Sequence, residues 1–219
     1  MSPGRRFATA PLALSDVKQT SKQLGVAVND IVVATAAATN TSPERLVGNE
    51  FTYLTPSLPV HIDDPIERVK LTALATKIAK ENHQLLGPTV LPAWVSYLPT
   101  ALAPQLFRTQ ARRVESASVM NLTISNVLGP RTRGHIEGAT VSEIYSVGPL
   151  VAGSGMNITV WSYVDQLAIS VLTDDRTLDD PHEATDAMLD AFIEIRRTAG
   201  LSGRLTPLDA TLPLAGAAR

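Results

Sequence analysis

The sequence predicts an α/β fold in which helices pack on an at least partly antiparallel sheet. Period-two runs of β-branched and aromatic residues fill much of the carboxy-terminal half, and apolar stripes at helical spacing alternate with such runs along the chain. Two of these runs, Met156–Tyr163 and Gln166–Leu172, are separated only by Val164-Asp165, which marks a hairpin. The chain has 219 residues, 44% apolar and 18% charged. That is enough for one buried core, since a chain of this size buries roughly 70% of its unfolded surface.

The elements follow in order. Phe7 to Leu14 reads as a strand leading into a helix, with Ser15 as N-cap, Val17, Thr20 and Leu24 at helical spacing, and Gly25 as the stop. Asn29 is placed to cap a second helix, Asp30–Ala38, which is apolar nearly all round and belongs in the core. Asp30 in its first turn suits the positive end of the helix dipole. Asn40 to Glu50 is a short polar connection, and Phe51 to Pro59 reads as a strand. Asp63 or Asp64, followed by Pro65, opens a helix whose apolar stripe is Ile66, Val69, Leu71, Leu74 and Ile78. Met120–Val127 alternates as a strand with one buried face, and Ile136–Tyr145 reads as another. Asp179 or Asp180 caps the last helix, Pro181 sits at or near its first position, and Ala184, Ala187, Met188, Ala191, Phe192 and Ile195 form its inner stripe. The domain accordingly spans residues 1–197. Residues 198–219, rich in Gly, Pro, Ala and Leu without period, are expected to form a mobile tail.

Composition narrows the function classes. A net charge of −2 argues against a nucleic-acid partner, which needs a basic face. The absence of cysteine removes disulfides, thiolate chemistry and cysteine-ligated metal, and fits a reducing compartment. The residues after Met1 lack the apolar run of a secretory signal. Gln84 to Phe107 carries no charge, but Gly87, Pro88, Pro92, Pro99 and Pro104 break it into short pieces rather than a membrane span. It reads as a buried connector or as an interfacial, lipid-contacting patch, followed by a basic piece with Arg108, Arg112 and Arg113. His61, His83, His135 and His182 are dispersed, and there is no phosphate loop, nucleophile elbow or paired metal ligand. No catalytic residue and no metal ligand is therefore assigned.

Three short stretches could carry binding. Asn29 and Asp30 open the apolar second helix, where capping is the alternative reading. In Asn121–Pro130, a strand ends in Ser125-Asn126 and turns at Gly129-Pro130. That sets short hydrogen-bonding side chains at the strand's mouth, where a ligand meets a sheet, or else makes an ordinary turn. The loop Asp174-Asp175-Arg176 to Asp179 reads as a helix cap with an ion pair.

Taken in order, these stretches resemble the carboxy-terminal half of bacterial wax ester synthase/diacylglycerol acyltransferases. Gly25–Ala34 resembles the family's Asn-Asp helix opening. Gly48-Asn49, Leu58-Pro59 and Asp63-Asp64-Pro65 resemble its Gly-Asn, Leu-Pro and Asp-Pro run, and Asn121–Pro130 is similar to its Asn-x-x-x-Ser-Asn-Val-x-Gly-Pro signature. Gly148-Pro149, Gly155 with Asn157, and Ser162-Tyr163 resemble the next block, and Asp175 with Asp179 the last. The likeness runs from about residue 5 to 197.

The resemblance implies a mixed, largely antiparallel sheet packed with helices, like one half of a chloramphenicol-acetyltransferase-type two-domain acyltransferase. It implies an acyl-CoA-dependent O-acyltransferase making triacylglycerol or wax esters. Acyl-CoA would be the co-substrate, diacylglycerol or a long-chain alcohol the acceptor, and no cofactor is bound covalently. In the family a His-His-x-x-x-Asp-Gly motif of the amino-terminal half supplies the base; this sequence has no such motif. The chain is thus expected to be inactive alone, with an amino-terminal half or a second copy as partner, in the cytoplasm or peripheral to membrane or lipid droplets. Expected along the substrate or interdomain channel are Asn29, Asp30, Gly48, Asn49, Ser125, Asn126, Gly129, Pro130 and Asn157. The rival expectation is a non-catalytic module of the same fold that binds acyl-CoA, lipid or a protein partner.

Overall fold

The computed structural model describes residues 4–36, 58–86, 122–150 and 154–208, with side chains omitted at 33–36 and 82–86. The elements run β1 (Arg5–Ala13), α1 (Leu14–Leu24), α2 (Val28–Ala36), α3 (Pro65–Leu86), β2 (Leu122–Leu128), β3 (His135–Ile136), β4 (Ala139–Thr140), β5 (Met156–Tyr163), β6 (Gln166–Asp174) and α4 (His182–Thr198). Gly48, Asn49, residues 51–57 of the expected Phe51–Pro59 strand, most of Gln84–Phe107 and the Arg108–Arg113 piece lie outside the described residues. Its last two residues, Leu58 and Pro59, belong to a turn instead, with Val60 N–H donating to Leu58 O and Ile62 N–H to Pro59 O.

Four strands form the main sheet in the order β1-β6-β5-β2. β1–β6 and β5–β6 are antiparallel and β2–β5 is parallel, so the sheet is mixed and largely antiparallel. Pro11 lies in β1, an edge strand, where a residue without an N–H is tolerated. Period-two alternation gives the sheet two unlike faces. Leu12, Ile124, Ile158, Val160, Leu167, Ile169 and Val171 point to the side covered by the helices, where they meet Val17, Ile31, Val69, Phe192 and Ile195. Burying each large apolar side chain there contributes roughly 1.5–3 kcal/mol. The opposite face carries Thr9, Ser170, Thr159 and Ser125 in one row across all four strands.

That second face is covered by residues 134–149, where the sequence suggests a strand over Ile136–Tyr145. Only β3 and β4 form, because Glu137 and Gly138 both take positive φ (49° and 84°) and turn the chain back on itself. Residues 141–150 have no regular structure. Side chains of the sheet hold them instead. The Tyr163 hydroxyl donates to Val141 O and accepts from Gly134 N–H, both at 2.9 Å, and Thr159 Oγ1 accepts from Gly148 N–H at 2.9 Å.

The helix termini show how local chemistry sets the boundaries. α1 starts one residue before the expected Ser15 cap, because Leu14 N–H is already satisfied by Asp165 O in the β5–β6 turn at 2.8 Å; no side chain caps it. Gly25 ends it at φ 66°. α3 begins as anticipated, with Asp64 Oδ1 accepting from Ile66 and Glu67 N–H. Its inner face differs from the expected stripe. Val69, Thr72 and Thr76 are 1%, 1% and 0% exposed, whereas Leu74 and Ile78 are 53% and 48% exposed. The threonine hydroxyls donate to the carbonyls of Arg68 and Thr72, so they enter the core already paired, and their small size permits close packing on α2. In α4, Asp180 Oδ1 accepts from His182 N–H, and Ala187 of the expected stripe is exposed while Thr185 and Arg196 are buried.

The largest departure concerns the expected tail. Residues 199–208 fold back on α1 around a buried ion pair, Arg196–Asp16, 3.7 Å apart with side chains 3% and 7% exposed. Arg196 also donates to Asp16 O, Thr20 Oγ1, Gln19 Oε1 and Ser202 O, and packs over the Phe192 ring. The Asp16 carboxylate accepts from Thr206 N–H at 2.7 Å and from the Thr206 hydroxyl at 2.9 Å. The domain therefore extends past residue 197, because a buried carboxylate draws the chain in; residues 209–219 lie outside the described residues.

Replacing Arg196 by Met strands the buried Asp16 charge and is expected to cost about 3–5 kcal/mol in denaturant unfolding. Thr206→Val, which removes one hydrogen bond to that carboxylate, is expected to cost about 1–2 kcal/mol, so equal losses would mean that charge burial is not the dominant effect. At the β5–β6 turn Val164 holds φ 53°, a conformation that costs a β-branched residue roughly 1 kcal/mol. Val164→Asn is therefore expected to raise thermal stability by about that amount.

Candidate functional site

The end of β2 is where the sequence-derived candidates meet. β2 directs Asn126 to the helix side, level with Val160, and α2 lies above it. Asn126 Nδ2 donates to Asn29 Oδ1 at 2.9 Å, joining two residues 97 positions apart. The expectation that Asn29 caps α2 is not met. The helix starts at Val28, which places Asn29 in its first turn with its side chain turned to the sheet. Asp30 does the capping, through its Oδ2, which accepts from Ala27 N–H at 3.0 Å.

Beyond β2 the chain crosses the β5–β6 hairpin at close range. Gly129 N–H donates to Ser162 Oγ at 3.2 Å, and Pro130 O accepts from Val164 N–H at 2.9 Å. A Cβ at residue 129 would overlap the Ser162 carbonyl oxygen and the Trp161 indole, so the crossing requires glycine. Arg133 then pairs with Asp165 at 3.1 Å, tying the same crossing to the turn.

Ser125 and Asn157 are not part of this cluster. Both point to the opposite face of the sheet, where Asn157 Nδ2 donates to Pro149 O and Asn157 Oδ1 accepts from the Thr159 hydroxyl. Tyr145 lies on that side too. Burial raises its phenol above the usual value of 10.0, reinforced by Glu143, while a hydrogen bond with Thr9 works the other way. The nine expected channel residues thus divide. Asn29 pairs with Asn126, Gly129 and Pro130 meet the β5–β6 hairpin, Asp30 caps α2, Ser125 and Asn157 lie across the sheet, and Gly48 and Asn49 lie outside the described residues.

The groups of Asn29, Asn126, Gly129 and Ser162 are neutral (amides, a hydroxyl and backbone N–H), while the carboxylates nearby are engaged, Asp30 with Ala27 N–H and Asp165 with Arg133. Asn29 Nδ2 and Trp161 Nε1 are buried with no hydrogen-bond partner among the described residues. Such a set can donate hydrogen bonds but cannot accept a proton as a general base. The imidazoles of His61, His135 and His182 are exposed and lie apart from it. A gap of about 10 Å³ in the core, lined by Leu12, Val17, Ile31, Val160, Met188 and Phe192 among others, is apolar and holds at most one water-sized sphere, far too little for an acyl chain.

Ser162 escaped the sequence reading as a member of this cluster; Trp161 rises from the opposite face of the sheet and only its indole edge reaches Gly129. The signal was present: in β5, Ser162 occupies the last helix-side position of an otherwise apolar alternation. The Asn29–Asn126 joint is open to a double-mutant cycle. Each alanine substitution is expected to cost about 1–2 kcal/mol, with a coupling of about 0.5–1.5 kcal/mol; strictly additive losses would mean that the two amides do not interact in solution.

The chain was compared with known proteins. The family model described as WS/DGAT C-terminal domain matches residues 47–196. A Mycobacterium tuberculosis H37Rv protein named as a diacylglycerol O-acyltransferase is 49% identical, over 97% of this chain and 50% of its own length. The O-acyltransferase WSD of Acinetobacter baylyi is 24% identical over 78% of this chain and 42% of its own. Among solved structures, the wax ester synthase/diacylglycerol acyltransferase of Marinobacter aquaeolei VT8 superposes with a TM-score of 0.69 at 25% identity, covering 90% of this chain and 50% of that one. The chain spans about half the length of the curated relatives it matches. With the family model covering most of the chain, and the Asn29, Asn126 and Gly129 motifs assembled at one strand end, this chain belongs to the wax ester synthase/diacylglycerol acyltransferase family as its carboxy-terminal domain.

Proposed function

We propose that the chain is the carboxy-terminal half of an acyl-CoA-dependent O-acyltransferase that forms triacylglycerol, wax esters or both. In this reading it builds one wall of a cleft and does not supply the base. The supporting observation is the neutral cluster at the end of β2. Asn29, Asn126 and the Gly129 crossing hold amide and backbone donors in fixed positions, and nothing among them can take a proton from an alcohol. A wall of this kind can orient an acyl donor and an acceptor, and positioning alone contributes substantially to a bimolecular transfer. The proton acceptor is then the imidazole of a His-His-x-x-x-Asp-Gly segment, which this sequence does not contain.

Acyl-CoA is the proposed donor, with diacylglycerol or a long-chain alcohol as acceptor. Among the described residues no helix is long and apolar enough to cross a membrane. Val60, Leu128 and Ile136 are large apolar side chains left mostly exposed, and cover by an amino-terminal half would account for such exposure.

Radiolabelled palmitoyl-CoA with a diacylglycerol or hexadecanol tests the proposal. The isolated chain should give no ester above the uncatalysed background. Co-expression with an amino-terminal half bearing the His-His-x-x-x-Asp-Gly motif should give product. Turnover by the isolated chain would refute the division of labour. Tight acyl-CoA binding with no product from the paired halves would favour a non-catalytic module instead.

A further inference from the structure

The sheet face opposite the helices has an arrangement that the acyltransferase reading does not use. The register places Thr9 beside Ser170, Ser170 beside Thr159, and Thr159 beside Ser125, so one row of hydroxyls crosses all four strands. Neighbouring strands lie about 4.8 Å apart. At that spacing paired Ser and Thr hydroxyls bond either directly or through one water. Two of the four hydroxyls already bond within the protein: Thr159 Oγ1 accepts from Gly148 N–H and donates to Asn157 Oδ1, and Thr9 bonds the Tyr145 hydroxyl. Ser170 is 1% exposed and its Oγ has no hydrogen-bond partner among the described residues; Thr123 Oγ1 and Trp161 Nε1, on partly buried residues of this face, are also buried atoms without a partner. Three orphaned polar atoms on one face are costly unless water reaches them.

The cover over this face is held differently from the helices. Residues 134–149 contribute nothing to the hydrophobic core cluster. Hydrogen bonds attach them: Gly134 N–H and Val141 O to the Tyr163 hydroxyl, Gly148 N–H to Thr159 Oγ1, Pro149 O to Asn157 Nδ2, Ser142 O to the Arg133 guanidinium, and the Tyr145 hydroxyl with Thr9. Val147 is half exposed, and Val141, Ile144 and Tyr145 are only partly buried.

We infer that residues 134–149 form a hydrated strap, with water bridging the hydroxyl row beneath it, and that the strap lifts as a unit while the helix-covered face stays folded. Segments with few buried apolar contacts open at lower free energy than the core. The strap buries no apolar side chain fully, and water in the layer beneath replaces each polar tether as it breaks.

Native-state hydrogen exchange on the 219-residue chain tests the lifting. The hydrogen-bonded amides of Gly134, Val141 and Gly148 are expected to exchange on the order of 100-fold faster than those of residues 158–171, at a rate insensitive to low denaturant. Tyr163→Phe, which removes two tethers and keeps the ring, is expected to speed Gly134 exchange about 5- to 10-fold and leave the core amides unchanged. Strap amides that exchange in step with β5 and β6 at every denaturant concentration would overturn the inference. Hydration is read separately by a rotating-frame water cross-peak to the Trp161 indole proton, assigned with Trp161→Phe. The dipolar sign, opposite to chemical exchange, is expected, and its absence would overturn the wet layer.

Discussion

The register of the β5–β6 hairpin is the constraint on which the rest of this structure depends. Side chains alternate with period two, so a slip of one residue would send Ile158, Val160, Ile169 and Val171 to the strap and Thr159 and Ser170 into the helix core. The two-residue turn at Val164-Asp165 prevents that slip, and its neighbours hold it from three directions. Asp165 O receives Leu14 N–H from the β1–α1 junction, Val164 N–H reaches Pro130 O beyond β2, and the Asp165 carboxylate pairs with Arg133. Those outside contacts explain why a β-branched residue is retained at positive φ.

The two faces created by that register divide the labour. The helix side is apolar, and the gap lined by Leu12, Ile31 and Phe192 is too small for a ligand. The opposite side is lined with hydroxyls and roofed by a segment lacking regular structure. The candidate site sits where these regimes meet, at the end of β2. There the chain leaves the sheet and Gly129 allows it to pass against Trp161 and Ser162.

The Asp16–Arg196 pair serves a different purpose. It links the first turn of α1 to the last turn of α4 and then draws Thr206 in from beyond the last helix. Read along the chain, Asp16 and Arg196 look like the ordinary charges that complement helix dipoles at the surface. Only their mutual approach makes burial tolerable, since an isolated charge in that position would be too costly to keep.

Much of the fold was legible in the residues. The β5–β6 hairpin, the Asp64 cap of α3, the Gly25 stop and the mixed, largely antiparallel sheet all follow from local chemistry, which turn residues, caps and period-two alternation express directly. The motif order also determined the family, because Asn29-Asp30, Ser125-Asn126 and Gly129-Pro130 stand in its sequence. Tertiary structure decided what side chains separated along the chain do together. It turned Thr72 and Thr76 inward where hydropathy favoured Leu74 and Ile78, because hydroxyls already bonded to their own helix bury without penalty. It separated Asn126 from Ser125 by the width of a sheet although they are neighbours in sequence, and joined Asn126 to Asn29 across 97 positions. Local propensity acts over a few residues, whereas pairing of distant polar groups is settled only when packing brings them within hydrogen-bond reach.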